Sequence, residues 1–198
     1  MRVSVVTPPA PVVTWEEADD HLRLDRDAEQ RVFVEGLVSA ATSHLDGPDG
    51  VLGRSLGLQT LELRLDHLGG DPLFLPCPPF VDVESINLVG RDSSVALLPE
   101  AFVVDDGYLV AGAGGWPPLP EYWGRPRVRV RYRAGYAVDP DADPIVPAVP
   151  APIKAAILMM VGDLYRFRTT ASDMNVTATA IPMSTTVNAL LQPYRIYR

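Results

Sequence analysis

The sequence has few of the residues on which disulfide, metal and membrane chemistry depend. Its single cysteine, Cys77, excludes an intramolecular disulfide, so nothing indicates an oxidising compartment. Its three histidines are scattered and lack the spacing of a metal-binding helix. The longest unbroken apolar run, residues 155–161, is far shorter than the roughly 18 residues of a membrane span. The apolar run at residues 3–6 is too short for a signal-peptide core. We therefore expect a soluble, intracellular protein that binds no metal or cofactor.

Lysine is also scarce, and the charge is unevenly distributed along the chain. Only one of the 17 basic residues is a lysine, Lys154. The net charge of -8 combines a net −13 over residues 1–124 with a net +5 over residues 125–198. Such polarity favours association with a partner of opposite sign, or head-to-side packing of identical copies.

No catalytic signature stands out in the sequence. The acidic residues Glu16, Glu17, Asp19 and Asp20 lie where the helix dipole favours negative charge, which is typical of a solvated helix start. The alternating aspartates of residues 139–143 lack the glycine and the downstream glutamate of a calcium loop. Neither a nucleophile elbow nor a phosphate-binding loop is present. We therefore predict no catalytic residues and no enzymatic activity.

The pattern of elements predicts an α+β fold with helices at the start. Thr14 and Glu17 form a capping box that predicts a helix over about 15–22. Asp25 or Asp27 is expected to cap a second helix that ends near His44. One face of this second helix is predicted to be apolar, formed by Ala28, Val32, Phe33, Leu37, Ala40 and Ala41.

An antiparallel β-sheet insertion follows over about 58–136. Leucines alternate with polar residues over 60–65, and a second strand is predicted over 83–89. Asp106-Gly107 joins residues 102–104 and 108–110 in a hairpin. A further helix is predicted over about 152–168. The whole chain, 1–198, is expected to form one domain that closes with an extended arm over about 188–198.

The strongest polar signal is an arginine strand in which Arg127, Arg129, Arg131 and Arg133 alternate with apolar residues. Guanidinium groups on one face of a strand repel each other, so an anionic counterpart is expected nearby. Phosphate, carboxylates of a neighbouring strand and a neighbouring subunit are all compatible with this pattern. Tyr132 faces away from the arginines, whereas nucleic-acid-binding sheets usually place aromatics among their basic residues.

Two further segments indicate surfaces that another chain could cover. The helix over 152–168 is apolar on almost all sides, so it is either a central core helix or partly covered by a partner. The tail alternates aromatic and basic residues and has little to pack on locally. It is either an arm that binds an edge of another chain or a frayed terminus. Its residues are Pro193, Tyr194, Arg195, Ile196, Tyr197 and Arg198.

Taken in order, several segments resemble the head–tail connector (adaptor) proteins of long-tailed phages and phage-like gene transfer agents. The resemblance covers most of residues 12–198, and it depends on the order and spacing of its segments. Cys77 departs from it, since this family more often has a polar or basic residue there. The similar segments are 15–18, 21–22, 75–79 with Val83 and Ile86, 98–99, 102–105, 115–117, 128–136, 149–150, 153–157, 164–165 with Arg168, 189–191 and 193–195.

The resemblance implies a homo-oligomeric ring, usually of twelve copies, between the portal and a stopper or tail terminator protein at the head–tail junction. DNA would pass through its channel without sequence-specific binding, and the acidic helix with Glu16, Glu17, Asp19 and Asp20 would line that channel. The tail from Pro193 would contact the portal or a neighbour, and the arginine strand would make intersubunit charge contacts. No membrane is involved.

Two other functions compete with this one. A nucleic-acid-binding module would use the arginine strand. An enzyme would use a pocket lined by Trp116, Tyr122, Trp123 and the nearby acidic residues.

Overall fold

The computed structural model describes residues 1–69, 72–91, 93–119, 127–167 and 184–197. Over these residues the chain forms four α-helices and two antiparallel sheets, which confirms a mixed fold of helices and antiparallel strands. The helices are α1 (Trp15–Leu22), α2 (Arg31–Leu45), α3 (Ala151–Arg166) and α4 (Thr185–Leu191). The strands are β1 (Arg2–Thr7), β2 (Gln59–Leu65), β3 (Leu73–Phe74), β4 (Phe80–Val89), β5 (Ser94–Ala96), β6 (Phe102–Asp105), β7 (Tyr108–Ala111) and β8 (Val128–Ala134).

The start of α1 follows from its local sequence. The Thr14 hydroxyl accepts a hydrogen bond from the Glu17 amide, and the Glu17 carboxylate accepts one from the Thr14 amide, so the capping box is confirmed. The predicted cap of α2 is wrong. Asp25 has a left-handed backbone, and Asp27 binds the Glu29 amide in a turn before the helix. The first residue of α2 is Arg31, which follows Gln30 without a side-chain cap.

The predicted apolar face of α2 is also wrong. The helix turns residues 34, 38, 41 and 45 toward the interior, whereas Val32 is 80% exposed and Phe33 43% exposed. The periodicity placed Val32 and Ala41 on one face, but Ala41 is the one member of the predicted set that is fully buried. The helices α1–α4 form the helical core together with apolar residues from the segments that precede α1 and β2. Its members include Val12, Leu52, Leu56, Ile153, Ile157 and Leu191.

Helix α3 has 16 residues, and the prediction of a long helix that is apolar on almost all sides is wrong. One face is buried through Ile153, Ala156, Ile157, Met160 and Val161, while the opposite side carries exposed Ala155 and half-buried Lys154. The Lys154 ammonium contacts the Glu17 carboxylate at 2.8 Å, which ties α3 to α1. Among the described residues, no helix combines the length and the apolar character needed to cross a membrane.

Five strands form the larger sheet in the order β1-β2-β8-β4-β5. The predicted strands over 60–65, 83–89 and 127–133 are present with slightly shifted ends, and the hairpin over Asp106-Gly107 is confirmed as β6–β7. β3, β7 and β6 form the smaller sheet. Strand β1 lies outside the predicted β region. It pairs with β2 across more than fifty residues of sequence, so local sequence did not indicate this pairing.

The buried side of the larger sheet forms a second core with the smaller sheet. Residues Val128, Val130, Tyr132 and Ala134 of β8 are all fully buried there, and Cys77 and Leu109 join them. The Tyr132 hydroxyl donates a hydrogen bond to the Pro76 carbonyl at 2.7 Å. Because successive residues of a strand point to opposite faces, burial of these four residues turns the arginines of β8 outward.

Candidate functional site

The outward face of the larger sheet gathers charged residues from three neighbouring strands. Arg2 of β1 lies opposite Arg64 of β2, and Arg64 lies opposite Arg129 of β8. Directly paired residues of antiparallel strands share a face and lie about 5 Å apart. We call Arg2, Arg64 and Arg129 the arginine row.

A second row lies beside the arginine row. It contains Ser4, Glu62, Arg131 and Ser85, in the order of the strands. The two rows together therefore place four arginines around one glutamate, a formal charge of +3.

Glu62 is the buried centre of this charge cluster. Its side chain is 3% exposed, and its carboxylate accepts hydrogen bonds from Arg64 Nε at 2.6 Å and Arg131 Nε at 3.0 Å. Burial acts to raise the pKa of Glu62, but the hydrogen bonds and charges of the two arginines outweigh it, so the pKa lies below its ordinary value of 4.5. The two arginines are nearly half exposed, so solvent screens part of the attraction.

The lowered pKa of Glu62 gives a pH-dependent stability. An acid whose pKa is lower in the folded state than in the unfolded state stabilises the fold at pH values above its unfolded-state pKa. This contribution is lost as the pH falls through the folded-state pKa. We expect Glu62→Gln to lower the free energy of unfolding by about 1–2 kcal/mol at pH 7. The difference from the wild type should shrink as pH falls below about 4.5. Urea unfolding measured between pH 7 and pH 3 tests this.

Glu84→Gln is the matched control for Glu62→Gln. Glu84 is exposed on the same sheet and accepts a hydrogen bond from the Thr60 hydroxyl. Its substitution should change the free energy of unfolding by less than about 0.5 kcal/mol. Equal effects of the two substitutions at pH 7 would contradict the role assigned to Glu62.

Arg133 is held by its own chain. Its guanidinium binds the Asp82 carboxylate of β4, contacts Asp141 at 2.9 Å and donates to the Pro140 carbonyl. The hydrogen bonds that Arg133 donates to the Asp82 and Asp141 carboxylates raise the pKa of Arg133 above its ordinary range. Asp141 comes from the aspartate-rich link of residues 139–143, so the structure gives this link a role in binding the arginine strand.

The four predicted intersubunit arginines therefore differ in their surroundings. Arg131 and Arg133 bind carboxylates of the same chain, which is one of the counterparts that the sequence left open. Arg127 lies just before β8 and is half-buried. Arg129 is exposed beside Arg64 and Asn87. Arg2 and Arg64 were not among the predicted site residues, although the alternation of residues 2–5 is a signal for an amphipathic strand.

The four acidic residues predicted for the channel side of α1 differ in exposure and in their hydrogen-bond partners. Glu16 and Asp20 are exposed, as expected for a charged surface. Asp19 is only 4% exposed, and its carboxylate accepts a hydrogen bond from the Arg26 amide, so it adds little to the exposed acidic surface of α1. Glu17 binds Lys154. Burial acts to raise the pKa of Glu17, but the hydrogen bonds from Lys154 and Thr14 outweigh it and lower that pKa.

The predicted extended arm over 188–198 is wrong in its conformation. Residues 185–191 form α4, residues 192–194 form a 3₁₀ turn, and Ser184 caps α4 through the Val187 amide. The tail also has partners on its own body. Tyr194 packs on the helical core, and its carbonyl accepts a hydrogen bond from Arg54 Nε at 2.6 Å. The Ile196 amide donates to the Leu52 carbonyl at 3.1 Å.

Part of the tail still faces solvent. Pro193 is exposed, and Tyr197 is 78% exposed. Arg198 lies outside the described residues. A contact of the tail with another chain would therefore involve this outer side, or release of the tail from the body.

An open groove of about 660 Å³ lies between residues 8–11 and the outer side of α2. Trp15, Arg31, Ser39, Thr42 and Asp46 are among the residues that line it. Burial raises the pKa of Asp46 although hydrogen bonds act against it. The Asp46 carboxylate accepts hydrogen bonds from the Leu56 amide and the Gln59 side chain, so it links α2 to β2.

The predicted enzyme pocket has little support in the described part of the chain. Trp116 packs against the core of the sheets, while Tyr122 and Trp123 lie outside the described residues. Across the described ranges, no three His, Cys, Asp or Glu residues are placed to hold a metal ion.

The whole chain is similar in fold to chains of solved particle structures. One lies in the neck of an empty gene transfer agent particle, computed with C6 symmetry, with a TM-score of 0.75 and 21% identity. A second lies in the neck of a native particle, computed with C12 symmetry, with a TM-score of 0.66 and 21% identity. A third belongs to the virion of a native gene transfer agent particle, with a TM-score of 0.68 and 20% identity. Each alignment covers 100% of this chain and 97% of the other.

The sequence by itself is less informative in such comparisons. No protein-family model matches the chain, and no curated protein is similar to it.

Proposed function

We propose that this chain is a structural subunit of the neck of a gene transfer agent or related phage particle, at the head–tail junction. The observation that carries the proposal is the fold, which aligns over all of this chain and nearly all of neck chains from such particles. A partial match would be expected if the chain shared only a common sheet or helix pair with them.

In this proposal the chain forms a ring, with twelve copies as the expected number. One side of the ring binds the portal protein, and the other binds a stopper or tail terminator protein. The C12 symmetry used for the neck of the native particle supports the copy number. A chain with a polarised charge distribution can pack head to side with its copies, and such heterologous contacts close into rings.

The channel of the ring would carry DNA without sequence-specific binding. Exposed Glu16 and Asp20 are the acidic residues of α1 that are available for the channel surface. Carboxylates there would repel phosphates, so a duplex would slide past them.

A mass measurement tests the proposal. The purified full chain is mixed with the portal protein of its source, and the complex is examined by light scattering and electron microscopy. The expected result is a portal ring that carries one additional ring of this chain. If the chain remains unbound and monomeric at every concentration, the proposed function is wrong.

The tail supplies a sharper prediction, because we propose that it contacts the portal. Deletion of residues 195–198 removes the exposed Tyr197 but keeps Tyr194, whose packing anchors the tail to the helical core. We expect portal binding to weaken by at least about tenfold, while the free energy of unfolding falls by less than about 1.5 kcal/mol.

Deletion of residues 193–198 is the comparison for this truncation. It also removes Tyr194 and the acceptor of the Arg54 hydrogen bond, so it should destabilise the monomer by a further 1–3 kcal/mol, approximately. Unchanged portal binding by the shorter deletion would show that the tail serves only the fold of its own chain.

A nucleic-acid-binding module remains the alternative function. The exposed arginine row favours it, whereas the burial of Tyr132 and the intrachain pairing of Arg131 and Arg133 do not. This function predicts affinity for short duplexes that falls steeply with salt. An electrophoretic mobility assay at low salt distinguishes the two functions.

A further inference from the structure

Within the two rows of this sheet face, the arginines outnumber the acidic residues that could neutralise them. Glu62 is the one acidic residue in the two rows of the described sheet face, and its carboxylate is already shared between Arg64 and Arg131. Arg2 and Arg129, at the two ends of the arginine row, are exposed. The row spans three strands and lies on a flat sheet face, so it offers a line of donors about 10 Å long to a partner that carries carboxylates.

The hairpin of β6 and β7 carries a complementary group. Asp105 and Asp106 are the one place in the described ranges where two consecutive acidic residues are both exposed. Asp106 and Gly107 have φ angles of 43° and 78°, which hold the tip in a tight two-residue turn. The hairpin therefore presents two carboxylates at a fixed tip, with little conformational entropy to lose on binding.

Aromatic residues lie beside this tip. Tyr108 is paired with Asp105 across the hairpin and with Phe74 on β3, and the rings of Tyr108 and Phe74 lie 5.4 Å apart. Both side chains are about 40% exposed. Exposed aromatic residues next to charged groups are typical of protein–protein interfaces.

We propose that the arginine row of one copy binds the Asp105–Asp106 hairpin tip of a second copy. The inference rests on the proposed ring and names the contact between its subunits. The row and the tip lie on different sheets of the chain, so the contact is heterologous and can close a ring. It is also electrostatic, because a cluster of formal charge +3 meets two carboxylates, and it should weaken as salt rises.

A second copy fits the arginine row better than a duplex does. The two rows carry no exposed aromatic residue on which a base could stack, since their members besides arginine are serine and glutamate, and Asn87 lies next to Arg129. The net charge of -8 repels DNA and another copy alike at a distance, so the local charge complementarity of the arginine row and the acidic tip must outweigh that repulsion.

Charge reversal tests the contact in the full chain. Arg129→Glu places an acid opposite the acidic tip, and Asp106→Arg places a base opposite the arginine row. Each variant alone should self-associate at least about tenfold more weakly than the wild type in sedimentation at low salt. An equimolar mixture of the two should recover association to within about threefold of the wild type, because each then offers a complementary partner.

Arg91→Glu and Asp49→Arg are matched controls, since both residues are exposed and lie outside the two surfaces. They should leave association within about twofold of the wild type, with thermal unfolding of every variant confirming its fold. Weakening by the controls equal to that by Arg129→Glu would mean a net-charge effect and would overturn the proposal. Failure of the mixture to recover association would overturn it as well.

A cross-linking experiment detects the contact even if the copies associate weakly. Chains with Arg129→Cys and with Asp106→Cys are mixed and treated with a short bis-maleimide, while Cys77 remains buried. We expect a higher yield of cross-linked pairs from this mixture than from a mixture of Arg91→Cys with Asp106→Cys. Equal yields from the two mixtures would overturn the proposal. Duplex binding that Arg129→Glu abolishes, without any cross-linked pairs, would assign the row to nucleic acid instead.

These outcomes are separable from the proposed function. Suppose that the wild-type ring binds the portal and that the Arg129→Glu variant forms rings equally well. That result would overturn the row–tip contact and leave the neck role intact. A chain that neither binds the portal nor forms rings would overturn both.

Discussion

Gly135→Ala is expected to destabilise the protein by about 3 kcal/mol or more, because the backbone at this position excludes a side chain. Gly135 has a φ of +134°, and a Cβ atom built there would lie 2.1 Å from the Gly57 carbonyl oxygen and 2.4 Å from its carbon. Since both contacts are to backbone, no side-chain movement can relieve them. Urea unfolding followed by far-UV circular dichroism should show a lower midpoint with an unchanged slope.

Gly36→Ala is the control for this substitution. Gly36 lies inside α2, and a Cβ atom there would meet nothing within 4 Å. Alanine loses less conformational entropy than glycine in a helix, so this variant should gain about 0.5–1 kcal/mol. A Gly135→Ala variant as stable as the wild type would mean that the junction between β8 and the segment leading to α3 is built differently.

Tyr132→Ala is expected to have a similarly large effect, a loss of about 3–5 kcal/mol in the free energy of unfolding. Tyr132 is fully buried in the sheet core, and its removal leaves a cavity and an unsatisfied Pro76 carbonyl. Chemical denaturation measures the loss. Because β8 also carries Arg129, this variant should lose self-association together with its fold.

Tyr132→Phe separates the two contributions. It keeps the ring and removes the hydroxyl that donates to Pro76, so it should cost about 1–2 kcal/mol and leave self-association intact. If the phenylalanine variant were as unstable as the alanine variant, the hydrogen bond rather than the packing would dominate at this site.

The two cores have a consequence for the proposed neck role. The sheet core holds the arginine row and the acidic hairpin tip on rigid strands, whereas the tail rests on the helical core. Contacts between subunits and contacts with the portal would then be carried by different parts of the chain. Variants of the arginine row and truncations of the tail should therefore act independently on assembly.

The sequence predicts those parts of the structure that depend on neighbouring residues. The capping box at Thr14, the hairpin turn at Asp106 and the alternation of β8 are set by hydrogen bonds and side-chain directions within a few residues. The same alternation correctly placed the arginines opposite Tyr132. These features determined that the chain is a mixed fold with one strongly basic strand face.

The sequence does not predict the features that contacts between distant residues determine. Leucine and valine spacing in α2 fits more than one face, and contact with α3 selected the face of Val34 and Val38. The tail has a local side-chain hydrogen bond, from Arg195 to Asn188, but Leu52 and Arg54 bind it from more than a hundred residues away in the sequence.

The sequence by itself therefore determined the elements that local signals specify, such as α1 and the β6–β7 hairpin, and the face of β8 on which its arginines lie. Only the tertiary structure decided which arginines have carboxylate partners, because strand register alone brings Glu62 to Arg131 and Asp82 to Arg133. The same register aligns Arg2 and Arg64 with Arg129. Charge pairing depends on distances of a few ångströms in space, and residues that are far apart in the sequence reach those distances only when the sheet has formed.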